Sequence, residues 1–229
     1  MDKKYTFDDL LKIVGKLRGE GGCPWDREQT HQSIRHNIIE EGYELIEAID
    51  NGEFDKMADE SGDLLLQVVF HAQIGKETGE YNIDDVINAV CTKLIRRHPH
   101  VFGDVEVADS EEVLANWSEI KRQERGQNST SQDMEGVSLA LPALMRAEKI
   151  QGKAEKNGYI FNDPNVTAES IANMIGILRD NEDKDVAEKY VGKMLFELVS
   201  VAKASGVDAE TALSKYTKGF VADFAKHED

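Results

Sequence analysis

Cysteine and proline are scarce in this chain, long apolar runs are missing, and positive charge is far outweighed by negative. Its 229 residues include only two cysteines, Cys23 and Cys91, far apart and outside any CxxC spacing. That excludes a disulfide framework or a zinc knuckle as the organising device, and a reduced cytoplasmic compartment is expected. With four prolines and no convincing alternating strand pattern, helical periodicity dominates, so the expected class is all-α. No apolar run approaches membrane-spanning length, and the opening Met1-Asp2-Lys3-Lys4-Tyr5 lacks the apolar centre of a signal peptide, so no membrane association is expected. Lys and Arg number 27 against 44 Asp and Glu, a net charge of -17. Such a surface repels nucleic-acid polymers and anionic membranes. It leaves a nucleotide substrate open, because local cations decide that.

What is present is acid in two short clusters, Glu40-Glu41-x-x-Glu44 and Glu60-x-x-Asp63. Residues three apart on a helix project from one face. Between the clusters, Asp50-Asn51-Gly52-Glu53 reads as a break between two helices. Glu44 and Glu60 stand about seven residues on either side of it, roughly 10 Å along each helix. An antiparallel hairpin would bring Glu41, Glu44, Glu60 and Asp63 level. Crowded carboxylates repel, and some must take a proton or a cation. Carboxylates without interleaved His or Cys suit magnesium, with manganese as the alternative, and phosphorylated substrates commonly complete such a shell. The helix from Phe54 to Ile74 is apolar over a wide arc, so Glu60 and Asp63 are expected to be partly buried rather than a solvated face.

The first helix is expected over Phe7–Leu17, followed by a Gly- and Pro-containing loop from Arg18 to Gln29. Helices are then expected over Thr30–Ile49, Phe54–Ile74 and Ile83–Arg97, with His98–Gly103 as a loop. Another runs from Ser110, as its cap, to Arg125. Gly126–Ser138 is polar and reads as a linker between a first domain, 1–125, and a second, 139–229. Helices resume near Leu141, with Pro142 suited to a first helical position. The two sides of the linker repeat one another. Glu60–Val69 parallels Tyr190–Val199, so Glu60 meets Tyr190 and Asp63 meets Lys193. Glu40, Glu41 and Glu44 fall opposite Glu169, Ser170 and Asn173, while Lys93, Arg96 and Arg97 fall opposite Gly219, Ala222 and Asp223. Acids and bases leave the second copy together while its apolar scaffold stays. One site gripping metal and phosphates explains that joint loss. The second copy then serves as scaffold or partner interface.

Lys93 and Arg97 share a helix face with Arg96 beside them, and such groups bind phosphate oxygens by charge-assisted hydrogen bonds. The bland alternative is a helix C-terminus stabilised by cations. Trp25, on the Gly/Pro loop, is a candidate for stacking a nucleobase, or else a hydrophobic plug. His31, His36, His71, His98 and His100 show no metal-ligand spacing except across Pro99, which reads as loop architecture. Trp117 and Tyr190 read as core or interface.

The segments Gly22-Cys23-Pro24-Trp25-Asp26-x-x-Gln29-Thr30, the paired acids, Arg96-Arg97-His98-Pro99-His100-Val101-Phe102 and Trp117-x-x-Ile120-Lys121 together resemble the MazG family. In the second copy the likeness rests on Leu141-Pro142-Ala143-Leu144-Met145-Arg146-Ala147 and the helix pattern. The resemblance implies tandem four-helix-bundle-like repeats, a homodimer, and cleavage of nucleoside triphosphates between the α- and β-phosphates to monophosphate and pyrophosphate. It implies Glu41, Glu44, Glu60 and Asp63 as magnesium ligands, without fixing the number of ions. Glu40 would sit beside them, supporting the ligands or positioning water, and Lys93, Arg96 and Arg97 would hold the triphosphate. The degraded second acid set leaves one alternative, a non-catalytic helical protein that binds nucleotides or a regulatory partner.

Overall fold

The computed structural model describes residues 4–124, 126 and 129–227, and every regular element among them is helical. The chain divides into two compact units, Met1–Val113 and Leu114–Asp229.

In the first unit α1 (Phe7–Arg18) opens on a capping box, Thr6 and Asp9 bonding each other's backbone. A five-residue helix, α2 (Pro24–Glu28), lies inside the expected loop, started by Pro24 at its first position. The expected helix over Thr30–Ile49 forms only from Asn37, as α3 (Asn37–Asn51). Thr30–His36 is turns instead, because Ser33 and Thr30 bond each other's backbone and Gln29 holds the Ser33 hydroxyl. Short polar side chains here outcompete the helix ladder. Gly52, at φ 70°, ends α3 in the left-handed conformation, and α4 (Phe54–Thr78) returns antiparallel, four residues longer than the pattern suggested. α5 (Ile83–Arg97) starts on a second capping box at Asn82, and Pro99–Phe102 adds one helical turn, α6, within the expected loop.

Val14, Ile34, Val69, Phe70 and Ile74 form the core of this unit, with Leu10, Leu11, Leu66 and Ile83 packed against it. Ile83 lies in the first turn of α5. Beyond it Ile87, Val90 and Leu94, one apolar stripe at helical spacing, are each more than 40 % exposed.

α7 (Ser110–Glu124) is capped by Asp109 rather than Ser110: its carboxylate accepts from the Glu111 and Glu112 amides. The expected end at Arg125 lies outside the described residues, as do Gln127 and Asn128 of the expected linker. The rest of that linker carries α8 (Thr130–Glu135). Four longer helices follow: α9 (Ala143–Lys156), preceded rather than begun by Pro142, α10 (Pro164–Arg179), α11 (Lys184–Ala204) and α12 (Ala209–Ala225).

Each unit contains a pair of packed helices with a further helix against it. α3 pairs with α4 and α10 with α11, while α1 lies on α4 and α9 on α11. The register that sets Glu60 opposite Tyr190 sets Gln73 opposite Lys203, and each faces a glycine of the helix across from it. Gly15 meets the Gln73 amide and Gly152 the Lys203 ammonium. Three residues beyond each glycine is a charge. Arg18 binds Glu77, which Gln73 also contacts, and Glu155 binds Lys203. The cation of the pair lies on α1 in the first unit and on α11 in the second.

Candidate functional site

The α3–α4 hairpin sets the acids. Its turn at Gly52 and its antiparallel return place Glu41 opposite the first turns of α4, where Glu60 and Asp63 stand three residues apart. One carboxylate oxygen from each of Glu41, Glu60 and Asp63 lies within 4.8 Å of the others. All three residues are half-buried, whereas Glu40 and Glu44 are exposed. Glu44 is outside that tight group of three but close enough for its charge to act on both Glu41 and Glu60.

The electrostatics follow from this crowding. Burial, then the charges of Asp63, Glu44, Glu60 and Glu40, push the Glu41 carboxyl above the ordinary glutamate value. Burial, then Glu44, Asp59 and Asp63, push Glu60 up, with Lys56 pulling the other way. Lys56 is a residue that motif reading passes over; its place one turn before Glu60 is the signal that could have found it. Acid oxygens this close, protonated more readily than free glutamate, are a donor set that could take a hard divalent cation in place of the protons.

The bases stand on α5, with Lys93 and Arg96 exposed and Arg97 half-buried. His98 caps the same helix, its Nδ1 2.7 Å from the Leu94 carbonyl.

Trp25 is 60 % exposed on α2, at the other end of α4 from the acids. The segment that carries it is tied down heavily. Arg18 Nη1 donates to the Asp26 and Gln29 carbonyls, Gln29 Nε2 donates to the Trp25 carbonyl at 2.8 Å, and the Ser33 hydroxyl donates to Gln29 Oε1. Next along the chain, His31 and His71 stack with their rings 4° from parallel and their Nδ1 atoms 2.7 Å apart. Tyr81 also stacks on His31. Burial, then the charge of His31, holds His71 below the ordinary histidine value. Periodicity gives no hint of this pair, since its members are forty residues apart.

The second unit shows what occupies the corresponding place there. Lys193, opposite Asp63, has its Nζ 3.6 Å from Glu197, and Ser170, opposite Glu41, donates to the same Glu197 oxygen at 3.3 Å. By the alignment expected from the sequence, an ammonium and a hydroxyl around one carboxylate, Glu197, answer to the three acids of the first unit.

Among the described residues no helix is long and apolar enough to cross a membrane. The profile of the MazG nucleotide pyrophosphohydrolase domain matches residues 29–102, the stretch that holds both acid clusters and the bases. The chain is 44 % identical over 223 residues to the nucleoside triphosphate pyrophosphohydrolase/pyrophosphatase MazG of Thermotoga maritima, covering 97 % of this chain and 86 % of that protein. It is 39 % identical over 228 residues to the nucleoside triphosphate pyrophosphohydrolase of Escherichia coli, covering 97 % and 87 % respectively. The protein YabN of Bacillus subtilis is 51 % identical over 147 residues, which is 64 % of this chain and 30 % of that protein. Similarity at this level along nearly the whole length leaves one conclusion: the chain belongs to the MazG family.

Proposed function

We propose that this chain is a nucleoside triphosphate pyrophosphohydrolase of the nucleotide pool, cutting between the α- and β-phosphates to release a nucleoside monophosphate and pyrophosphate. The observation that carries the reading is the convergence of Glu41, Glu60 and Asp63 across one hairpin, inside the segment matched by the MazG domain. Relatives that span nearly the whole chain bear the name of that activity.

Glu41, Glu60 and Asp63 hold the cation, with Glu44 at the edge of the set. Magnesium is the ion of choice for an all-carboxylate set that leaves room for phosphate oxygens, with manganese next. When bound, a divalent cation neutralises charge on the phosphoryl oxygens. Glu40 accepts a hydrogen bond from the attacking water and orients it towards the α-phosphorus. Lys93, Arg96 and Arg97 bind the β- and γ-phosphates and stabilise the charge that builds on the departing pyrophosphate. Water adds at phosphorus as the bond to the bridging oxygen breaks, so no group is left on the protein.

Glu60 and Phe70 are ten residues apart on α4, roughly 15 Å, and Phe70 lies beneath the Arg18 guanidinium that holds the Trp25 segment. The exposed ring of Trp25 receives the base, with the phosphates at the acids.

The exposed stripe of α5 recurs on α12, where Leu213, Tyr216, Phe220 and Phe224 are each more than half exposed. A second copy of the chain covers such stripes in a homodimer. Few cysteines, both free, fit a cytoplasmic location.

The test is product analysis with magnesium across the ribo- and deoxyribonucleoside triphosphates. Monophosphate plus pyrophosphate is the expected outcome. Diphosphate plus phosphate would contradict the site of cleavage, and binding without turnover would make the chain a nucleotide-binding regulator.

A further inference from the structure

Arg18 is heavily engaged on two sides. Its side chain is 5 % exposed. Nε and Nη2 donate to the Glu77 carboxylate, the latter at 2.7 Å, and the guanidinium lies 5.1 Å from the centre of the Phe70 ring. Burial raises the Glu77 carboxyl, but the hydrogen bonds from Arg18 and Gln73 and the Arg18 charge together hold it below the ordinary range, so the pair is ionised at neutral pH. An arginine neutralised in this way is not waiting for a phosphate. Its remaining nitrogen, Nη1, serves the two carbonyls of Asp26 and Gln29.

Those carbonyls lie at the C-terminal end of α2. Five residues are too few to hold a helix by themselves. At its start the segment is fixed by the Cys23 amide on the Leu17 carbonyl, 2.8 Å, and by Gly22, where a Cβ would come within 2.2 Å of that same carbonyl oxygen. At its end it is fixed by Arg18. Between these anchors Trp25 projects into solvent, an exposed aromatic on a rigid mount.

We infer that Arg18 is a positioning residue for nucleotide binding, acting through Trp25 by locking the strap from Cys23 to Gln29 to α4. This rests on the reading of Trp25 as the nucleobase platform. The planar fork is what the task requires: one edge grips Glu77 while a separate nitrogen reaches two carbonyls. A lysine ammonium offers one point of contact and cannot do both. Preformed, the strap orders no chain on binding, so loosening it should weaken affinity and spare the chemical step.

The experiment compares R18K, R18M, W25A and R18M/W25A in the full chain. The readouts are steady-state kinetics with magnesium and the common nucleoside triphosphates, and amide exchange of the nucleotide-free proteins. R18M is expected to raise KM about tenfold with kcat within about twofold, and to speed exchange across residues 23–29 while α3 and α4 keep theirs. W25A should raise KM comparably, and the double variant should be no worse than W25A, because both changes remove one contribution. R18K, which keeps the charge opposite Glu77, guards against loss of fold and should show the same KM defect in weaker form. A fall in kcat at unchanged KM, or single effects that multiply in the double variant, would overturn the route through Trp25. R18M at normal KM beside a W25A defect would refute the role of Arg18 alone. W25A at normal KM would refute the platform reading itself.

Discussion

A carboxylate oxygen of Glu41 on α3 lies within 4.8 Å of one from Asp63 on α4, two like charges brought together by the two arms of one hairpin. Neither helix gains from the meeting unless something positive enters between them.

Replacing Glu41 or Glu60 by Gln should therefore lower turnover by at least about 100-fold while leaving the helices intact, since it removes a charged donor and little volume. Circular dichroism and a kinetic assay with magnesium test this together. Normal turnover in both variants would remove the acids from the proposed site.

The same crowding fixes how metal-free stability should vary with pH. Glu41 and Glu60 have folded-state values raised above the ordinary 4.5, so the folded chain keeps these protons to higher pH than the unfolded chain does. Stability should fall as pH rises from 4.5 through the raised values and then level off. Excess magnesium should reverse the loss. Thermal unfolding with chelator and with magnesium, from acid to neutral pH, measures both arms, and coincident profiles would count against a cation at this hairpin.

His71 has the opposite sign. Its folded value lies below the ordinary 6.5, so its contribution is present above 6.5 and is lost as pH falls through the lowered value. Protonation also places charge on a ring whose Nδ1 lies 2.7 Å from the Nδ1 of His31. His71→Phe keeps a flat ring in the stack and should flatten this acid limb of the Tm profile. An unchanged acid limb would mean the limb arises elsewhere.

Gly75 is buried in α4, where a Cβ would come within 2.7 Å of the Tyr81 ring and 2.8 Å of its carbonyl oxygen. The backbone atom cannot swing aside, so Gly75→Ala should destabilise by roughly 1–3 kcal/mol despite its better helix propensity. Denaturant unfolding gives the figure. A stabilised variant would show that the α4–α5 turn yields more readily than its geometry implies.

In the second unit Gln151 has no exposed surface, and its Oε1 is buried without a partner. Its Nε2 donates at 2.7 Å to the Phe196 carbonyl, which α11 already uses in its own ladder. Gln151→Met, of similar shape, relieves the stranded oxygen and should change stability by less than about 1 kcal/mol, or raise it. A loss well beyond that would show that the side-chain bond matters more than the helix bond it shares.

Several of these features could be read from the sequence. The pairing of α3 with α4 follows from two helical acid patterns around Asn51-Gly52, and α5 runs from Ile83 to Arg97 as its periodicity indicates. Thr30–His36 departs from a helix because hydroxyl and amide side chains capture its backbone, a competition that apolar spacing does not register. The grouping of Glu41, Glu60 and Asp63 could be anticipated from spacing and a turn. The tight three without Glu44, and the help of Lys56, depend on how far each side chain leans across the hairpin. Arg18 and the two stacked histidines were invisible for a simpler reason. Their partners lie dozens of residues away, and nothing local marks a residue for a distant contact.

The reversed clamp has a consequence for how a chain of two similar halves finds its partners. If α1 were to lie on the second unit's long helix, Arg18 would meet Lys203. If α9 were to lie on the first, Glu155 would meet Gln73 and lose its ammonium partner. Both mistaken pairings break an ion pair, and the first opposes like charges. Such an exchange between the two units would therefore be disfavoured as the chain folds.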